Sequence, residues 1–218
     1  MTETQLTGIE TSAFIGFTNL KVLDLSKNSL LEIQSNVFNG LIHLEELNLS
    51  ENKLTTISAD AFQGLRNLKI LICFGNSLSS LDPNAFNGLF NLKCLDFYLN
   101  KITSKDLRCF HTLKSLEELN LSFNYIASIE DDSFRGLINL KKLNLSYNRI
   151  AMLAVNSLQC LTNLKELSLS YNNISVIDVN VFQGLSSLNE LEMFKNKLSS
   201  DSLILLHNYA NRKFKIAE

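Results

Sequence analysis

Leucines return along this chain at a fixed interval: Leu20, Leu44, Leu68, Leu92, Leu116, Leu140, Leu164 and Leu188 stand 24 residues apart without a slip. Counted from each, apolar side chains recur at positions 1, 4, 6, 11, 14, 19 and 22, and position 9 is Asn in all eight units, from Asn28 to Asn196. The alternation at positions 4 and 6 is strand periodicity: those residues face inward, while positions 3 and 5 face outward. Position 19 is mostly Phe (Phe38, Phe62, Phe86, Phe110, Phe134, Phe182), with Leu158 as an exception, which accounts for much of the 14 Phe in a chain without Trp. A unit this small cannot bury its own Leu and Phe, so units must stack and share one core. Identical strands stacked in order predict a parallel sheet with neighbours about 4.8 Å apart. The Asn stands where the chain turns off the strand, and its amide is suited to bond the backbone of a tight bend.

This pattern, LxxLxLxxNxLxxIxxxxFxxL, resembles the leucine-rich repeat family in its 24-residue form, over residues 6–200. The resemblance implies an α/β horseshoe solenoid, with the parallel sheet on the concave face and loops and short helical turns on the convex face. It also implies a cell-surface or secreted recognition protein, a group that includes Toll-like receptors and small proteoglycans. One solenoid is expected over residues 1–218: a partial repeat at 1–19, eight full repeats, and a C-terminal capping helix at 201–211. In the partial repeat Leu6, Ile9, Phe14 and Phe17 match positions 11, 14, 19 and 22. The family's extracellular branch usually carries Cys-rich caps, but no Cys precedes Cys73 or follows Cys160. The expectation is therefore a slice of a longer protein, or a naturally minimal one.

Two repeats depart from the formula in the same way. NKITSKDLRCFH (100–111) matches NKLSSDSLILLH (196–207): Lys105 and Asp201 replace the aliphatic at position 14, and Leu107 and Leu203 appear two residues later. Both segments predict short convex-side helices opened by a Ser or Asp cap. The second would close the core, with Lys213 and Lys215 facing solvent.

Composition narrows the function classes. An apolar fraction of 45% and a charged fraction of 19% are those of a globular chain, and eight Gly with one Pro leave no flexible linker. A formal charge of −2 offers no footprint for nucleic acid or an anionic membrane. No stretch reaches the roughly 18 apolar residues of a membrane helix, and MTETQLTGIETSAF lacks the pattern of a signal peptide. An extracellular or cell-surface location is expected if the chain belongs to a longer precursor, and a cytoplasmic one stays open.

Catalytic chemistry finds no footing. The four Cys (Cys73, Cys94, Cys109, Cys160) fall at repeat positions 6, 3, 18 and 21. Cys109 and Cys160 lie two units apart, near 10 Å, beyond the roughly 7 Å Cα separation of a disulfide. Four free thiols are expected, Cys73 acting as a small core hydrophobe. His43, His111 and His207 are scattered, with no Cys or carboxylate at ligand spacing, and no phosphate loop or nucleophile motif occurs. We expect no metal, no cofactor and no enzymatic activity. Glu130-Asp131-Asp132 reads as a solvated convex loop. Asn48, Asn120, Asn144 and Asn173 begin N-x-S triplets. The strand formula LNLS generates the first three automatically, which leaves Asn173 as the better glycosylation candidate.

The outward positions carry the functional reading, because they vary without disturbing the core. Where the preceding repeat reads LEELNLSEN and the second one after reads LEELNLSFN, residues 68–76 read LKILICFGN: Cys73 takes an inward position, while Ile70, Ile72 and Phe74 take outward ones. Tyr98 continues position 7, and Leu99, Phe123, Tyr147 and Tyr171 occupy position 8 of four consecutive repeats. An apolar patch of this size marks an interaction surface; the alternative is a ladder of aromatics that stack on one another. At position 2, Lys and Glu of neighbouring repeats are placed to pair laterally. The favoured function is a non-enzymatic, receptor-like module that holds a protein ligand on its concave face, as a monomer or weak dimer. An intracellular adaptor or regulatory subunit is the alternative, and the substrate-recruiting part of an enzyme whose catalytic domain lies elsewhere is a third. No nucleic acid and no membrane insertion are expected.

Overall fold

The computed structural model describes residues 5–210 and 215–217. One parallel sheet of nine strands runs the length of the molecule in chain order. Its strands are β1 (Val22–Asp24), β2 (Glu46–Asn48), β3 (Ile70–Ile72), β4 (Cys94–Asp96), β5 (Glu118–Asn120), β6 (Lys142–Asn144), β7 (Glu166–Ser168), β8 (Glu190–Glu192) and β9 (Lys215–Ala217). The repeat keeps the register true: Leu23 faces Leu47, Leu47 faces Leu71, and so on to Leu167 with Leu191. From β2 to β8 the central Leu of each strand is buried.

Each position-9 Asn closes the turn off its strand and ties it to the previous repeat. Asn124 donates from Nδ2 to the carbonyls of Leu121 and Ser122 in its own turn, at 3.1 and 3.2 Å. The same nitrogen donates to the Phe97 carbonyl one repeat earlier at 2.9 Å, and Oδ1 accepts from the Ile102 N–H at 2.8 Å. Asn52, Asn100, Asn148 and Asn172 repeat the set. These backbone groups are buried in the turn and would otherwise lack partners. The bend also demands left-handed backbone at position 8, where φ lies between 52° and 65° from Lys27 to Lys195. Only one of those eight residues, Gly75, is the type that adopts it without steric conflict.

The phenylalanines at position 19 form the outer spine. Phe14, Phe38, Phe62 and Phe86 stack in sequence with ring centroids 5.9, 6.0 and 6.0 Å apart. Strands on the other face are spaced by about 4.8 Å. A stack wider on one side than the other must curve toward the narrow side, which makes the sheet the concave face.

Two-residue parallel ladders line the convex side: Glu32–Ile33 with Thr56–Ile57 and Ser80–Leu81, then Ser128–Ile129 with Met152–Leu153. Between them repeat 4 substitutes a 3-10 helix, Ser104–Thr112. Its opening is held by the buried Asp106 carboxylate, which accepts from the Thr103 N–H and hydroxyl at 3.0 and 2.8 Å. Repeat 8 is built alike in part: the Ser199 hydroxyl donates to Ser202 Oγ at 3.0 Å, but the backbone bond is reversed, the Ser202 N–H donating to Ser199 Oγ at 3.2 Å. Its helix α1 spans Ser200–Ala210, buries Leu206, and sets Tyr209 against Phe182 with ring centroids 6.3 Å apart. Asn211 and Lys213 lie outside the described residues. Lys215, expected simply to face solvent after the helix, begins β9, a strand that carries no repeat signature.

Cys73 and Phe97 occupy position 6 of adjacent repeats, and both are fully buried. Phe97 packs against both Phe86 and Phe110, with centroids 5.8 and 6.0 Å away, in a cluster of three rings. A side chain smaller than Leu at Cys73 is thus followed by a larger one at the same core position of the next repeat, and the two volumes are expected to compensate. Restoring Leu at both positions should be milder than the sum of the single changes, with a coupling of about 1 kcal/mol in a double-mutant cycle of Cys73→Leu and Phe97→Leu. Additive losses would refute this compensation. Removing one rung of the Asn ladder, Asn124→Ala, should cost about 3 kcal/mol in urea unfolding, since it orphans buried backbone groups on both sides.

Candidate functional site

The candidate residues gather at one place on the concave side. Ile70 and Ile72 lie half-buried on β3, next to Cys94 and Asp96 in register on β4. Phe74 and Tyr98 follow at position 7, both half-buried, with ring centroids 6.4 Å apart. From Tyr98 the aromatic line steps over to position 8: its ring meets Phe123 edge-on at 5.2 Å. Phe123 then stacks on Tyr147 and Tyr147 on Tyr171, each at 4.1 Å. Leu99 stands in the position-8 column at 49% exposure.

The ladder that the sequence offered as the alternative is therefore formed. The rings stack as a ladder, and Phe123, Tyr147 and Tyr171 still keep 37%, 40% and 41% of their surface in solvent. Their bulky side chains also sit on left-handed backbone, but so do Lys27, Glu51 and Lys195, so that strain belongs to the repeat and not to the site. Phe194, at position 7 of repeat 8 and 37% exposed, extends the apolar rim beyond Tyr171. Its position-7 register carries the same signal as Phe74 and Tyr98.

Asp96 was not among the candidates, although its place beside Ile72 was readable from the register. Burial pushes its carboxyl above the usual carboxylate range, against the opposing effect of the Tyr98 N–H that donates to Oδ1 at 2.9 Å. Beyond it the floor of the face is polar. Glu118, Lys142, Glu166, Glu190 and Glu192 line a shallow depression of about 400 Å³ with Asp96. Ser168 donates to Glu192 at 2.6 Å.

The rim at the start of the strands is ionic. Glu45 takes Lys69 at 2.6 Å and Lys21 at 3.5 Å; Glu117 takes Lys93 at 2.8 Å and Lys141 on its other side. The two ammonium groups hold the Glu117 carboxyl well below its ordinary 4.5, at about 2.

The remaining groups do not join this site. All four Cys are free thiols. Burial raises Cys73, Cys94 and Cys160, and pushes Cys109 up to about 11, so none is poised as a thiolate. Among the described residues no group of three or more His, Cys, Asp or Glu is placed to hold a metal ion. Likewise, no helix among them is long and apolar enough to cross a membrane. Asn48 and Asn120 have their Oδ1 engaged by the Ser of their own N-x-S triplet, at 2.6 and 2.7 Å. Asn173 is half-buried in the turn of repeat 7, its N–H donating to the Ile150 carbonyl at 2.8 Å.

Comparison with known proteins agrees with this architecture. The leucine rich repeat family profile matches residues 18–78, 66–126, 115–174, 139–198 and 162–208, so the chain belongs to the leucine-rich repeat family, a scaffold for protein–protein interaction. Among solved structures it is similar to the TLR13–ssRNA13 complex (34% identity, TM-score 0.85, covering 88% of this chain and 27% of that one). It is also similar to the LRR protein LIC12759 of Leptospira interrogans (29% identity, TM-score 0.78, 92% and 49%). The Toll–Spatzle complex of Drosophila shares the fold at 23% identity and TM-score 0.81, with 93% of this chain and 28% of that chain covered. The chain thus spans 27–49% of the length of these structures. No curated protein matches it.

The ionic rim predicts a pH signature. A carboxyl depressed in the folded state contributes stability that is present above its unfolded value and lost as pH falls through the folded one. For Glu117 that window runs from 4.5 down to about 2. A carbon-13 titration should place its midpoint near the lower figure, and Lys93→Met should move it upward; a midpoint unchanged by that substitution would mean the pairs do not persist in solution.

Proposed function

We propose that this chain is a non-enzymatic, receptor-like recognition module that holds a protein ligand on its concave face, centred on Ile70, Ile72, Phe74, Tyr98 and Leu99 and extended along Phe123, Tyr147 and Tyr171. The observation that carries the reading is a contiguous aromatic ladder kept in solvent beside a half-buried Ile pair. Exposed apolar surface of this kind is retained where a partner covers it, and Tyr and Phe are enriched at interface centres. Likeness to TLR13 supports the receptor-like part of the reading, with a cell-surface or extracellular location and a monomer or weak dimer as the free form. Four free thiols favour the second reading, an intracellular adaptor working through the same face. The TLR13 structure holds single-stranded RNA. A nucleic-acid ligand is disfavoured on this chain by the carboxylates of its concave floor. Asn173 remains the candidate glycosylation site, and a glycan found there by mass spectrometry would decide for the secretory route.

Ile72→Glu with Phe74→Ser should abolish capture of a partner by the intact chain. Because both side chains are only half-buried, melting should fall by no more than about 4 °C. Retained capture would sink the reading, and a collapse in melting temperature would place these residues in the fold instead.

A further inference from the structure

The concave floor changes character along the chain, and the change says what kind of polypeptide fits it. On β3 and at the head of β4 the outward residues are Ile70, Ile72 and Cys94. From the end of β4 to β8 they become polar with an acidic excess: Asp96, Glu118, Glu166, Glu190 and Glu192 against the single Lys142, with the neutral Asn120, Asn144 and Ser168 between them. Lys142 lies 3.3 Å from Glu166, and Lys215 stands opposite Glu190 in the register of β9. Asp96, Glu118 and Glu192 form no ion pair among the described residues. On the strand-entry rim Lys93 and Lys141 are both engaged by Glu117. The opposite rim is the apolar wall of Tyr98, Phe123, Tyr147 and Tyr171.

We infer that the partner of this face is a cationic amphipathic polypeptide segment, with an apolar side chain on Ile70, Ile72 and Phe74 and Lys or Arg side chains over the carboxylates of β4 to β8. This rests on the recognition function proposed above and adds the chemistry of the ligand. Charge complementarity carries it. A negative floor in a concave, partly desolvated surface steers positive partners and rejects negative ones. Lys and Arg fit both halves of the surface, because their aliphatic stems pack along an apolar wall while their heads reach the carboxylates. Phosphates laid on the same floor would meet the carboxylates as like charges, and among the described residues of the strand-entry rim Lys165 is the one lysine outside an ion pair.

The test is fluorescence anisotropy of the intact chain with four labelled probes of equal length: peptides alternating Lys/Leu, Ser/Leu and Glu/Leu, and a single-stranded oligouridine. Lys/Leu should bind at least about tenfold tighter than Glu/Leu, with Ser/Leu between them and oligouridine weakest. The preference should shrink as salt rises to about 0.5 M. Glu118→Lys/Glu166→Lys/Glu192→Lys should remove it. Should that variant fail to fold, Glu166→Gln/Glu192→Gln removes the charge, keeps one acceptor oxygen on each side chain and should still reduce the preference severalfold. Equal binding of Lys/Leu and Glu/Leu, tightest binding by oligouridine, or a preference untouched by these substitutions overturns the cationic assignment. If the peptides bind irrespective of charge and Ile72→Glu/Phe74→Ser abolishes it, the assignment falls while recognition on the concave face stands. If no peptide binds, or binding ignores that double variant, both fall.

Discussion

Everything in this molecule hangs on one side-chain amide per repeat. A chain that turns sharply every 24 residues buries backbone donors and acceptors at each bend, where neither helix nor sheet can satisfy them. The Asn amide has a donor pair and an acceptor in one plane, so a single residue serves three carbonyls and one N–H across two neighbouring repeats. Because these bonds always join one repeat to the one before it, the molecule is a one-dimensional stack whose cohesion is local. The core and the ladder carry the stability between them. Positions 3, 5, 7 and 8 are thereby released to carry whatever surface function requires.

The cross-section of the stack shapes that surface. Phenylalanine rings about 6 Å apart fill the convex side, whereas the exposed aromatics on the inner rim close to 4.1 Å. The same rotation per repeat that opens the outer spine compresses the inner face. Aromatic residues placed on that rim are consequently pressed into contact, and a row of single substitutions becomes a continuous wall. Apolar floor, acidic floor and aromatic wall then meet within a few strands of one another.

Most of this was legible in the residues because the repeat makes each position count many times over. A period of 24 fixes which Leu face inward, which Asn turn the chain and which Phe form the spine, and the structure places Leu47, Asn52 and Phe62 accordingly. What escaped notice was whatever happens only once. β9 follows a helix and has no LxxLxL to announce it, so its pairing with β8 depends on tertiary closure alone. The cluster of Phe97 with Phe86 and Phe110 joins a strand position of one repeat to the outer spine, which single-position comparison cannot see. The convex break at Ser104–Thr112 was visible as a departure from the formula, but its anchor, the buried Asp106, was hidden because a charged residue reads as surface. Within the site, the Ile and aromatic residues stood out against a polar background, while Asp96 resembled the polar residues usual at its position.

The aromatic wall has a consequence beyond recognition. The chain contains no Trp, and three of its five Tyr, Tyr98, Tyr147 and Tyr171, lie in that wall. Rings stacked face to face at 4.1 Å couple their transition dipoles, so the proposed binding rim contributes an exciton-coupled part of the near-ultraviolet dichroism, with no indole band over it. The molecule carries a native chromophore array at the place where its ligand would arrive, and occupancy of that face has an optical signature without any label.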